Sequence, residues 1–288
     1  MPGQVLLSNT TSLNVWEFFR FMLSNLCAGL RGLVPRRLMS VAATLLPGMC
    51  ALCGHVGRHV LCSGCRSQFF SDRGERCVCC ARRLDATSLS RIDGEVQCDE
   101  CLIRLPAFDA TVAAADYSPP LDQLVLGLKF GRQLALAPLF AELICDALLQ
   151  NAPTADSVDA FRRMPTLPDF LACVPLGKNR LQERGFNQAV EIAHPLAAHL
   201  GLPLVPRLLM RVRDTAPQAQ LSPRERRLNL LGAFTVGATH VQELEGRHIG
   251  IVDDVLTTGE TLNEVAVTLK RFGAARVTNL VFARTVPQ

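Results

Sequence analysis

From Phe108 onward, short apolar runs alternate with stretches of helical periodicity. Phe108 to Tyr117 reads as a strand. Leu121 to Phe130 reads as a helix stopped by Gly131, and Leu134 to Leu149 as a second helix. Residues 150–168 carry Pro and Asp without a period and are expected to be a loop. Phe170 to Val174 is the next strand, ended by Pro175, and a helix opens near Gln188 and runs through His199. Ile249, Ile251 and Val252 make a β-branched run, the composition of a parallel strand covered on both faces. Glu260 then opens a helix with apolar positions at Leu262, Val265, Ala266 and Leu269. Strands alternating with helices predict an α/β fold, a parallel sheet flanked by helices with ligands at the carboxyl ends of its strands.

The N-terminal pattern differs. Trp16, Phe18, Phe19, Met22, Leu23 and Leu26 recur at roughly helical spacing, so residues 1–46 are expected to form an amphipathic lead. Charges interrupt it and no basic stretch precedes it, unlike a secretory signal. A helix packed on its own domain, a start upstream of the true one, and contact with a membrane surface all stay open. No apolar run reaches the ~18 residues a membrane span requires.

Composition adds three facts. A 49% apolar share supports a real core in 288 residues, as one or two domains. A formal charge of +4 does not by itself argue for nucleic acid. Twelve cysteines call for an explanation, and their spacing supplies it. Cys50 and Cys53, Cys62 and Cys65, Cys77 and Cys80, and Cys98 and Cys101 each form a Cys-x-x-Cys turn. Two such turns complete a closed tetrahedral thiolate site, so the four pairs suggest two structural zinc ions. Sequential pairing is the simpler arrangement, interleaved pairing stays open, and Cys79, His55 and His59 lie close enough to substitute. Disulfides fit poorly with a cytoplasmic chain. The region 47–105 is therefore read as a zinc-ribbon module and 106–288 as the α/β domain.

Chemistry concentrates at Ile249 to Thr261, IGIVDDVLTTGET. Asp253 and Asp254 close the strand, and Thr257, Thr258, Gly259, Glu260 and Thr261 form a small-residue turn into the helix. Free N–H groups of such a turn, with the positive end of the helix dipole, cradle a phosphate. The adjacent carboxylates would repel a bare anion, but they can accept hydrogen bonds from a sugar. A sugar phosphate suits both halves. The stretch resembles the phosphoribosyl pyrophosphate (PRPP) motif of type I phosphoribosyltransferases. That resemblance implies that Asp253 and Asp254 hold the ribose hydroxyls and that the Thr-Thr-Gly turn holds the 5′-phosphate.

Two further stretches agree with it in order. Lys178, Arg180 and Arg184 lie just beyond a strand end and suit a pyrophosphate, which needs several charge-assisted donors. Their string, VPLGKNRLQERGFNQA, resembles the corresponding loop of the ComF/GntX-type phosphoribosyltransferases, a family that also carries an N-terminal Cys-x-x-Cys module. RVRDTAPQAQLSPRERRLNLLGAF, from Arg211 to Phe234, is similar to that family's mobile region, with Arg213, Gln218 and Arg224 among its polar positions. Lys129 also matches a family lysine. The resemblance spans Cys50 to the C-terminus and implies a type I phosphoribosyltransferase fold, Mg²⁺ bound with PRPP, and a link to competence and DNA uptake. Three functions remain open: a phosphoribosyltransferase of unknown acceptor, a PRPP-binding regulator without turnover, and a handler of single-stranded DNA acting with competence proteins. In the last, the zinc module and the Arg-rich 207–227 segment would touch phosphates. Asp254 is the candidate base for the acceptor. The acceptor and the oligomeric state are not readable from the sequence.

Overall fold

A computed structural model describes residues 48–71, 74–84, 90–92, 95–150, 167–213 and 230–285. The expected lead at 1–46, the loop after Gln150, and Gln218 and Arg224 lie outside the described residues. The Cys-rich part contains β1 (Gly48–Met49), β2 (Val56–Gly57), α1 (Ser63–Phe70), β3 (Ser90–Ile92), β4 (Glu95–Gln97) and α2 (Asp99–Ile103). The α/β part follows with β5 (Ala110–Tyr117), α3 (Leu121–Lys129), α4 (Leu136–Gln150), β6 (Phe170–Cys173), α5 (Lys178–Arg184) and α6 (Gln188–Leu200). It closes with β7 (Leu209–Arg211), β8 (Phe234–Val236), β9 (His248–Leu256), α7 (Glu260–Arg271) and β10 (Arg276–Thr285).

Four strands form one parallel sheet in the order β5-β10-β9-β6. Side chains alternate across it, as strand geometry requires. Val252, Leu280 and Phe282 pack among Leu124 and Leu128 of α3, Phe140 and Ile144 of α4, and Ile192 and Leu196 of α6. Ile249, Ile251 and Val281 face the other way, onto Leu262, Val265 and Leu269 of α7 and Phe234 of β8. Both faces are dry, which is why β9 reads as a continuous apolar run before its two acids.

The strand is longer than its apolar run predicts. Pairing with β10 continues through Asp253, opposite Val281, to Val255 and Leu256, opposite Ala283 and Arg284. The acidic pair thus stands on ordered strand rather than at its fraying end. A short antiparallel pair, β7 with β8, was not expected; it brackets the segment similar to the family's mobile region.

The Cys-rich part shares the core. Cys50, Leu61, Cys65 and Phe70 pack in the same cluster as α3, α4 and α6, with the Phe70 ring 6.4 Å from that of Phe282. Arg66 pairs with Asp146 of α4 at 2.7 Å and also with Glu142. Further along, Thr111 N donates to Val78 O at 3.0 Å, and Arg76 pairs with Asp116 at 2.6 Å. These contacts anchor both Cys-x-x-Cys regions to β5 and α4. No helix among the described residues is long and apolar enough to cross a membrane.

Candidate functional site

The site is a cleft of about 200 Å³ at the carboxyl ends of β6 and β9. Asp253, Asp254, Thr257, Gly259 and Thr261 line it from β9 and α7; Lys129, Arg180, Arg184, Gln188 and Arg211 line it from the other elements. Gly259 takes φ +82°, a left-handed conformation that other residues adopt only with strain. It caps α7 and turns the loop back toward the strand.

The two acids differ in environment. Asp254 is buried and lies 3.0 Å from the Lys129 ammonium, so the lysine noted in the sequence is the partner of this carboxylate. Asp253 accepts a hydrogen bond from Asp254 N at 2.9 Å. Burial and the neighbouring Asp254 charge push Asp253 up to about 7, against a smaller opposing pull from Lys129.

The basic group is more ordered than a loop. Lys178, Arg180 and Arg184 sit on helix α5, which ends at Gly185 with φ +79°. Asn187 then caps α6 by accepting from Ala189 N, while its amide donates to Val174 O at the end of β6. Arg180 and Arg184, one turn apart, share the face toward the cleft. Lys178 is exposed and is not part of the cleft wall. The Arg184 guanidinium lies 5.1 Å from the Phe130 ring centre. Burial lowers its pKa from arginine's ordinary value, Asp254 opposes that, and the group stays charged.

The turn residues divide. Thr257, Gly259 and Thr261 face the cleft, whereas Thr258 and Glu260 line a recess toward the Cys-rich part, where Glu260 meets Arg104 at 3.6 Å. Gln188 was not singled out by sequence reasoning. It is 3% exposed, lines the cleft, and its Nε2 has no hydrogen-bond partner. Next to the cleft, a recess of about 380 Å³ is lined by Lys129, Phe130, Arg132, Arg180, Glu183 and Arg184.

Among the described residues, the cysteines form two groups, Cys50/Cys53/Cys62/Cys65 and Cys77/Cys80/Cys98/Cys101, each with all sulfurs within 4.8 Å of one another. This is the sequential pairing; Cys79, His55 and His59 belong to neither group. Sulfurs 3.7 Å apart, as in Cys53–Cys62 and Cys80–Cys98, match the ~3.8 Å edge of a tetrahedron with Zn–S bonds of ~2.3 Å. Backbone N–H groups of Cys62 and Cys65 point at the sulfurs of Cys50 and Cys62, as thiolate ligands require. Both groups fit a structural zinc with no open position.

A phosphoribosyl transferase domain family matches residues 187–285. The DNA utilization protein YhgH of Escherichia coli K12 is 35% identical over 247 residues, covering 84% of this chain and 99% of that protein. Competence protein F of Haemophilus influenzae is 31% identical over 223 residues, covering 77% and 90%. Competence protein ComFC of Bacillus subtilis is 33% identical over 142 residues, covering 49% and 55%. A glutamine PRPP amidotransferase from B. subtilis, complexed with ADP and GMP, overlaps 51% of this chain and 25% of its own at 18% identity; a TM-score of 0.29 is too low to argue from. Kinship rests on YhgH and competence protein F, matched over 99% and 90% of their lengths by a chain with this sheet and these cysteines: it belongs to the ComF-type phosphoribosyltransferase family.

Proposed function

We propose that the protein binds PRPP and transfers its phosphoribosyl group to an acceptor. The observation that carries this reading is the opposition, across one small cleft, of two carboxylates on β9 and the paired arginines of α5, with the glycine turn between them. The 5′-phosphate would sit on Thr257, Gly259 and Thr261, the ribose hydroxyls on Asp253 and Asp254, and the pyrophosphate on Arg180 and Arg184. Lys178, Thr258 and Glu260 would then shape these subsites without facing them. Attack by the acceptor at C1 forms the new bond while the C1–O bond breaks and its electron pair leaves with pyrophosphate. The carboxylates favour the positive charge growing on the ribose, and the arginines favour the charge on the leaving group. Asp253, with its pKa pushed up to about 7, is better suited than the lysine-paired Asp254 to take the acceptor's proton.

Mg²⁺ would arrive with PRPP, held by its oxygens and at most one or two of these carboxylates, and would neutralise the leaving pyrophosphate. Its donor set fits, since the cleft offers carboxylate oxygens beside the expected pyrophosphate position. Two resident zinc ions and a cytoplasmic site of action belong to the same proposal, because a reducing compartment keeps eight ligand thiols from forming disulfides. The division at about residue 105 is one of sequence character, since the Cys-rich part shares its core with the α/β part.

Pyrophosphate release from PRPP, measured across a panel of nucleobases and other ring acceptors, tests turnover. Release that depends on one acceptor supports the transferase. PRPP binding without release from any acceptor supports a regulator instead. A DNA-linked role is favoured by the names of the relatives and by the basic recess around Phe130, which is 67% exposed beside Arg132 and Arg184. Exposed aromatics among cations are what single strands stack on. A gel shift with single-stranded DNA that weakens steeply with salt would support it, and no shift at low salt would contradict it.

Gln188 offers a sharper check. Its unpartnered amide is expected to donate to a ligand oxygen, so Gln188→Glu should weaken PRPP binding about tenfold or more by putting a third carboxylate beside an anion. Calorimetry on the folded variant decides this, and an unchanged affinity would remove Gln188 from the site.

A further inference from the structure

We infer that Arg284 is a positioning residue that ties the phosphate-cradling turn to the second cysteine group, giving the two zinc sites different tasks. The inference rests on the PRPP reading only for what the turn holds. Arg284, near the end of β10, is 7% exposed. Its Nε donates to Cys80 O at 2.9 Å, and Cys80 belongs to the Cys77/Cys80/Cys98/Cys101 group. Its Nη1 donates to Leu256 O at 3.1 Å and to Thr257 O, the two carbonyls from which the turn departs. Thr285 Oγ1 adds a bond to Thr257 O at 3.2 Å.

One planar guanidinium thus holds a metal-ligand carbonyl on one edge and the root of the turn on the other. Its rigid fork of donors suits that task as a lysine cannot. Two other contacts cross the same junction: Arg104 meets Glu260 at 3.6 Å, and Ala107 N donates to Asn263 Oδ1 at 2.7 Å. The Phe108 ring stands beside Gly259, where an added Cβ would lie 3.9 Å from it. Between them is a recess of about 140 Å³ lined by Cys80, Cys101, Thr258 and Arg284. Arg284 also places a buried cation behind the cradle, where it favours an anion. The first cysteine group is attached elsewhere, through Phe70 to Phe282 and Arg66 to α4. Zinc at the second group therefore sets the turn, and zinc at the first anchors α4.

Hydrogen exchange at the amides of residues 257–261 reads this coupling in the full zinc-loaded chain without any ligand. Arg284→Gln and Cys98→Ser are expected to speed exchange there about tenfold or more, with Arg284→Lys intermediate. Cys62→Ser is expected to act mainly on α1 and α4. Calorimetry then separates positioning from general damage. Arg284→Gln should weaken ribose 5-phosphate binding about tenfold while pyrophosphate affinity, held on α5, changes less than about twofold. Unchanged exchange at 257–261 in both Arg284 variants, or an equal loss of both ligands, overturns the inference; the Arg284 variants decide it even where a cysteine variant fails to fold. A wild type that binds neither ligand contradicts the PRPP reading, while the exchange data still judge the coupling.

Discussion

The double substitution Asp253→Asn with Asp254→Asn is expected to weaken PRPP and ribose 5-phosphate binding by about 100-fold or more. Each carboxylate that accepts a ribose hydroxyl makes a charge-assisted hydrogen bond, worth about 1.5–3 kcal/mol, and two are lost together. The single variants should separate in stability. Burial and Asp254 hold Asp253 up at about 7, above its ordinary 3.8. Between about pH 4 and 7 the folded chain therefore keeps a proton that the unfolded chain has released, so this group's contribution to stability declines as pH rises through that window. Asp253→Asn removes the decline. Thermal melts should show it more stable than wild type at pH 8, by at most about 4 kcal/mol, with the gap closing toward pH 4. Asp254→Asn instead strands the Lys129 ammonium and should destabilise. In the wild type, ribose binding needs the ionised Asp253, so affinity should fall about tenfold from pH 8 to pH 6. A flat affinity profile, or a less stable Asp253→Asn at pH 8, would show that Asp253 is not the strained group of the pair.

Removing zinc should have the larger effect on the fold. Elemental analysis is expected to give two zinc ions per chain, one for each cysteine group. Structural zinc contributes on the order of 10 kcal/mol per site in small modules. Here the candidate ligands Cys50 and Cys65 also lie in the sheet's own core, beside Phe70 and Phe282. Stripping the metal with a chelator should thus lower the melting temperature by about 10 °C or more and expose the α4 face of the sheet. A metal-free chain that melts with the holoprotein would contradict the structural role of both groups.

The legible parts of the molecule were those written in local pattern. Ile249, Ile251 and Val252 marked a strand covered on both faces, and the helices read from Leu121, Leu134, Gln188 and Glu260 followed from their apolar spacing, the second beginning two residues later, at Leu136. The cysteine turns named their own chemistry, though only the folded chain brings Cys50 to Cys62 and Cys77 to Cys98. Other features depend on neighbours remote in sequence. The extension of β9 through its acids comes from register with β10, and Lys129 reaches Asp254 from α3, more than a hundred residues away in sequence. The three-residue strands β7 and β8 are too short to show a period. Gln188 looked like an ordinary first-turn residue; only its buried, unpartnered amide separates it from one. Thr258 and Glu260 belong to the motif by spacing, yet the left-handed Gly259 between them directs both toward the Cys-rich side.

The most direct measurement is calorimetric titration of PRPP with Mg²⁺ into the folded, zinc-loaded wild type. Saturable binding at one site per chain, displaced by pyrophosphate and by ribose 5-phosphate separately, is the expected result. Absence of binding at millimolar PRPP would contradict the assignment of the β9 cleft.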